Sequence, residues 1–178
     1  MHSADNISSQ FSDIYHIMVV SENTLKWAMR IYPPLFFQRI WVKKFEKGFR
    51  SVDVKIIKSL FNSNYNRSIF GGTIFSASDP FYALLFDQIM QRKGYKVRVW
   101  LKSAEIKYLK PGRSNLHFSV RLSDEEIDEA CHALNTVGKH VKSYPIEMFS
   151  ETGELCVVVM NEVYLRNLYS GENQTIAY

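Results

Sequence analysis

The sequence predicts an α+β fold in which an antiparallel sheet of about six strands wraps one long central helix. Three observations predict it. Residues 68–86, "SIFGGTIFSASDPFYALLF", are apolar almost throughout, and a helix that is apolar all round must be covered all round. Runs rich in β-branched and aromatic residues lie on both sides of it in the chain, punctuated by Gly-containing turns. One long helix and about six such strands can bury their apolar faces if the sheet curls around the helix.

The elements follow in order. Residues 1–22 are polar and aperiodic and read as a loose tail before a domain spanning 23–167, with a second tail at 168–178. Asn23 is placed to cap a short helix, "TLKWAMRIY", that Pro33-Pro34 ends. "RIWVKKFEK" and "SVDVKIIKSLF" read as a hairpin around Gly48. Polar "NSNYNRS" leads into the long helix, which runs to about Arg92 and closes at Gly94. "KVRVWLKSAEIKYLK" and "SNLHFSVRLS" are strands on either side of Lys110-Pro111-Gly112-Arg113, where Pro then Gly suits a type II turn. Ser123 caps an acidic helix, "DEEIDEACHAL", with Glu126 completing a capping box. "KHVKSYPIEMFS" and "ELCVVVMNEVYLRN" form a last hairpin through Glu151-Thr152-Gly153.

Composition narrows the setting. With 178 residues, 46% of them hydrophobic, the chain suits one packed domain. The net charge of +4 comes from basic residues interleaved with acidic ones, so a solvated surface is expected and no nucleic-acid partner. The long helix approaches the ~18 residues of a membrane span, but Asp79, Pro80 and two glycines make it a core helix. Cys131 and Cys156 have no CxxC or metal-ligand spacing, and residues 1–20 lack the pattern of a signal peptide; a cytoplasmic protein is expected.

"FGG" followed by "ASDPFY", "KPGR" leading into "RLSDEE", and the final "GEL…VYLRN" strand resemble the hot-dog thioesterase superfamily. They are most similar to the thioesterase-like branch grouped as DUF4442, over roughly residues 25–167. The resemblance implies the hot-dog fold and an acyl-CoA or related acyl thioester hydrolase, with no cofactor beyond the coenzyme A carried by the substrate. It further implies a homodimer or a dimer of dimers. In PaaI-like relatives a His-Gly-Gly run supplies a backbone N–H to the thioester oxygen, and an Asp or Glu nine residues after the His attacks or activates water. Those roles fall on Gly71 and Asp79, with an upstream asparagine matched by Asn64 and Asn62 a second candidate. The histidine position is occupied by Phe70.

The residues support these assignments on their own chemistry. Gly71 and Gly72 opening a helix offer free N–H groups and the positive end of the dipole, as a developing oxyanion requires; a tight loop-to-helix turn would need the same glycines. Asp79, among Phe75, Phe81, Tyr82 and Leu84, should be desolvated and raised in pKa as a base, or else be a buried carboxylate satisfied by hydrogen bonds or an ion pair. Pro80 cannot donate to the Ser76 carbonyl and disfavours α torsions at Asp79, so a kink is expected there. Lys102 shares strand parity with Trp100, Ala104 and Ile106; facing the helix it would need Asp79 or Asp87, whereas at the surface it would snorkel. Lys110 and Arg113 bracket the turn as coenzyme A phosphate ligands or as solvated charges. A noncatalytic domain that binds acyl-CoA or another apolar ligand is the alternative function, which the missing histidine favours.

Overall fold

The computed structural model describes residues 19–168, so most of both expected tails lies outside the described residues. Helix α1, Glu22–Ile31, begins two residues earlier than expected: Ser21, not Asn23, is the N-cap, its Oγ accepting from Thr24 N at 3.1 Å. Pro33-Pro34 ends α1 at Tyr32 but also opens a second short helix, α2, Pro33–Phe37. Proline at the first helical positions loses no intrahelical bond and has φ already set.

Strands β1, Ile40–Phe45, and β2, Ser51–Ile56, pair antiparallel, Ile40 facing Ile56 and Phe45 facing Val52. The turn between them takes Gly48 to φ 73°, and the Gly48 N–H donates to Glu22 Oε1 at 2.9 Å, tying α1 to the hairpin.

The long helix is two segments, α3, Gly71–Ser78, and α4, Pro80–Arg92, closed by Gly94 at φ 87°. Asp79 between them departs from expectation. Its torsions, φ −62° and ψ −56°, are helical, and its N–H still reaches the Phe75 carbonyl at 3.2 Å. The interruption is therefore the missing Pro80 donor rather than a turned-out backbone. Phe81, Tyr82, Leu85, Phe86, Ile89 and Met90 are all buried, which makes α4 the axis of the core.

The remaining elements are β3, Val97–Tyr108, β4, Leu116–Arg121, α5, Asp124–Thr136, β5, Lys139–Ser150, and β6, Leu155–Asn167. The sheet order is β1-β2-β4-β5-β6-β3. Ser123 and Glu126 make the expected capping box on α5, and Gly153, at φ 80°, turns β5 into β6. The KPGR stretch is corrected. It does not fold β3 onto β4, since β3 pairs along its length with β6 and β4 lies between β2 and β5. Gly112 is also not among the glycines of positive φ, so it is not the third residue of a type II turn. The stretch is instead a crossover from the edge of the sheet to its middle. One core runs from α1 through the sheet to α4 and α5, including Leu25, Val54, Phe86, Ile127 and Val159.

Candidate active site

The loop before α3 is knitted by two asparagines. Asn62 is buried, and its amide is fully used: Nδ2 donates to the carbonyls of Gln38 and Ile57, both at 2.9 Å, and Oδ1 accepts from Ser59 N at 2.8 Å. It holds the loop and has no atom to offer a ligand, which removes it from the substrate-binding residues. Asn64 Oδ1 accepts from the Asn66 and Ser68 amides at 3.0 and 3.2 Å and from Ser68 Oγ at 3.1 Å. Phe70 N then donates to the Asn62 carbonyl at 2.8 Å, and Ile69 N to the Gly112 carbonyl at 2.9 Å, which fixes the entry to α3 against the KPGR crossover.

The first helical bonds of α3 are made by Thr73 and Ile74 to the Phe70 carbonyl, so the Gly71 and Gly72 amides precede the ladder, as at any helix start. Both glycines lie under aromatic side chains that would have to shift to admit a larger residue. A Cβ on Gly71 would lie 3.0 Å from the Tyr108 hydroxyl, and one on Gly72 would lie 2.4 Å from the Phe70 ring, which folds over the first turn while remaining 57% exposed. Tyr108, at the end of β3, donates to the Gly71 carbonyl at 3.0 Å. These groups surround a surface pocket of about 430 Å³, whose wall includes Asn64, Gly71, Gly72, Ile74, Tyr108 and Lys110. The crossover thus brings Lys110 beside the glycines although 39 positions separate it from Gly71. Tyr108 was not anticipated, because a strand-end tyrosine carries no signal until the crossover places it over the helix start.

Asp79 lies outside that pocket. Its side chain is exposed in the single chain rather than enclosed by Phe75, Phe81 and Tyr82, because the last two turn into the core and Phe75 is itself exposed. The neighbouring apolar surface still desolvates the carboxyl enough to raise its pKa above the ordinary aspartate value. Gly71, Phe75 and Asp79 are spaced i, i+4, i+8, one ridge of the helix surface.

The remaining expected cations separate. Lys102 does not face the helix: it pairs with Glu162 on β6 at 3.2 Å, on the solvent side, and neither Asp79 nor Asp87 is its partner. A bulge between Leu101 and Ser103 breaks the strand parity on which the opposite expectation rested. Lys110 pairs with Glu154, both half-exposed, and Arg113 is exposed. Among the described residues no three His, Cys, Asp or Glu side chains converge as a metal site requires.

The wrapped helix and the sheet order define a hot-dog fold, shared with solved structures of low sequence identity. A Pseudomonas aeruginosa protein of unknown function, described as a probable thioesterase, superposes with a TM-score of 0.73 at 16% identity, over 82% of this chain and 95% of that one. A Haemophilus influenzae thioesterase gives 0.62 at 12%, over 86% and 96%, and the Escherichia coli PaaI protein from the phenylacetic acid degradation operon gives 0.52 at 15%, over 83% and 96%. The chain belongs to the DUF4442 family, a domain of unknown function, whose sequence model matches residues 21–164. No curated protein sequence matches it. Among the described residues no helix is long and apolar enough to cross a membrane.

Proposed function

We propose that the chain hydrolyses an acyl thioester, acyl-CoA being the favoured class, as a homodimer whose two sites each combine Gly71 of one protomer with Asp79 of the other. The observation that carries this reading is the separation of the two groups. Gly71 opens the pocket and Asp79 stands outside it on the same exposed ridge, eight residues along, or about 12 Å at ~1.5 Å per residue. An oxyanion donor and an attacking group must both come within about 3 Å of one carbonyl. Two antiparallel copies of the ridge about a two-fold axis satisfy that, and dimers of dimers extend the same symmetry.

In this mechanism the Asp79 carboxylate takes a proton from water as the water oxygen attacks the thioester carbon. The Gly71 N–H, with Gly72 beside it, holds the oxyanion; the C–S bond then breaks and the proton passes to the leaving thiolate. Direct attack by the carboxylate, followed by hydrolysis of the anhydride, uses the same two groups. Asn64 Nδ2 is the atom of that side chain left to orient water or substrate, since Oδ1 serves the loop. Lys110 and Arg113 receive coenzyme A phosphates, with Glu154 yielding Lys110. Phe70 closes one side of the acyl site. A noncatalytic acyl-CoA binder remains the second reading, favoured by the Phe70 ring lying where an imidazole would polarise substrate.

The test is thiol release from an acyl-CoA panel by wild type, Asp79→Asn, Gly71→Pro and an exchanged mixture of the two variants. Turnover by wild type, little by either variant, and roughly a quarter of wild-type activity after random mixing is expected, because each heterodimer keeps one intact site. Binding without turnover across the panel selects the second reading. Parents and mixture equally inactive after verified subunit exchange would place each site within one chain.

A further inference from the structure

Within the interleaved charge, basic residues predominate in one part of the sequence: residues 21–70 hold ten Lys or Arg against three Asp or Glu, whereas residues 71–168 hold twelve of each. Arg50 and Lys55 pair with Asp124 and Glu151 of the second part, which leaves Lys26, Arg30, Arg39 and Lys43 among the cations of α1, the segment after α2 and β1. The same first third carries a group of exposed apolar side chains on α1 and α2: Trp27 at 51%, Ile31 at 72%, Tyr32 at 52% and Phe37 at 71%. Leu25, Met29 and Leu35 on the other sides of these helices are buried, so the exposed set is the outward side of α1, of the Tyr32 junction and of the wholly apolar α2.

Arg30 makes the surface one unit. Its guanidinium lies over Trp27 at 4.6 Å and over Trp41 of β1 at 4.3 Å, while Nε donates to the Val42 carbonyl at 2.8 Å. Beside it a groove of about 260 Å³ is lined by Phe36, Arg39, Ile40, Trp41 and Ile57. Lys26 Nζ lies 5.6 Å from the centroid of the Trp27 ring, and Arg30 also donates to the carbonyl of exposed Lys43 at 3.3 Å. β1 is the edge strand opposite to β3, so this surface is separate from the end of the sheet that supplies Tyr108 to the pocket.

We propose that this face of α1, α2 and the β1 edge docks onto an anionic lipid bilayer, lying in the interface plane without crossing it. Aromatic and aliphatic side chains flanked by Lys and Arg are the chemistry of an interfacial helix, and a negatively charged leaflet answers the charge excess. A second copy of the chain would oppose two like-charged faces. A nucleic acid would leave Ile31 and Phe37, the most exposed side chains of the set, without a suitable partner. The inference stands apart from the thioesterase reading, because neither Gly71 nor Asp79 enters it.

The test is co-sedimentation of the full chain with vesicles of phosphatidylcholine alone and of phosphatidylcholine with phosphatidylserine, at low and high salt. Binding to the anionic vesicles, reversed by salt, is expected. Arg39→Asn and Lys43→Gln should each weaken it roughly fivefold, and Ile31→Ser/Phe37→Ser by roughly tenfold or more, with melting temperatures showing that each variant is folded. Brominated lipid should quench tryptophan emission in the wild type and not in the apolar double variant. The proposal is overturned by absence of binding, by binding indifferent to lipid charge and to these variants, by binding gained only when residues 1–18 are removed, or by loss of self-association in the double variant in place of vesicle binding.

Discussion

Replacing Asn62 by Ala tests whether that residue belongs to the loop or to the ligand. The side chain satisfies three main-chain groups: the Gln38 and Ile57 carbonyls and the Ser59 amide. Removing a partner from a buried polar group costs about 1–3 kcal/mol, toward the low end where water can enter. With three groups in a partly buried loop, a loss of roughly 3 kcal/mol follows. For a chain of this size that corresponds to a fall in melting temperature of about 6–12 °C. Scanning calorimetry reads the fall directly. Thiol-release kinetics, taken well below the new melting point, should show KM little changed, because no atom of Asn62 meets substrate. A melting temperature within about 1 °C of wild type, together with a severalfold higher KM, would refute the reasoning and return Asn62 to the substrate.

Two pH predictions follow from burial. In the proposed mechanism Asp79 acts as a base in its carboxylate form, and its pKa is raised by desolvation, so kcat/KM should be full at higher pH and fall through a limb above 3.8 as pH drops; a limb at or below that value would contradict the assignment. His140 is buried, packs near Phe86, and shares a 3.0 Å hydrogen bond with Tyr144; burial lowers its pKa from 6.5, with Glu129 pulling it up and Lys142 adding to the fall. The unfolded chain then takes up a proton first, so this contribution to stability is complete above about pH 6.5 and is lost as pH falls below it. His140→Phe/Tyr144→Phe, which removes both partners together, should flatten the slope of melting temperature against pH in that range; an unchanged slope would assign it to other groups.

Local chemistry was readable from the sequence where a few neighbouring residues decide the structure. Ser123 and Glu126 cap α5 because a hydroxyl and a carboxylate three residues apart suffice, and Gly153 turns a hairpin because its torsion needs no distant support. The apolar run around Phe81 and Phe86 declared a covered helix for the same reason. What escaped reading depends on chain segments far apart. Asn62 looks like a polar loop residue until Gln38 and Ile57 close over it. β3 is evidently a strand, but its partner, β6, lies beyond two intervening strands and a helix, so the KPGR stretch between β3 and β4 imitates a hairpin turn. The bulge at Leu101/Ser103 is set by pairing with β6, and it moves Lys102 off the face that alternation gives it.

Proline after Asp79 has a different consequence from the one its sequence suggests. A backbone turned out of the helix at residue 79 would carry the carboxylate off the ridge that begins at Gly71. Because Asp79 keeps helical torsions, the i, i+4, i+8 spacing of Gly71, Phe75 and Asp79 survives across the junction of α3 and α4. The core side of that junction is held by β6: Asn161 Nδ2, fully buried, donates at 2.8 Å to the carbonyl of Ser78, the residue before Asp79. Pro80 meanwhile starts α4 with its φ already set, at the cost of one helical donor. The helix is thus pinned on its buried side and left open on the ridge, where a second copy related by a two-fold axis would meet it with the order reversed. In the proposed dimer that geometry would set each carboxylate opposite the other chain's Gly71 and Gly72 amides, and it requires the ridge to run unbroken past Pro80, as the helical torsions of Asp79 allow.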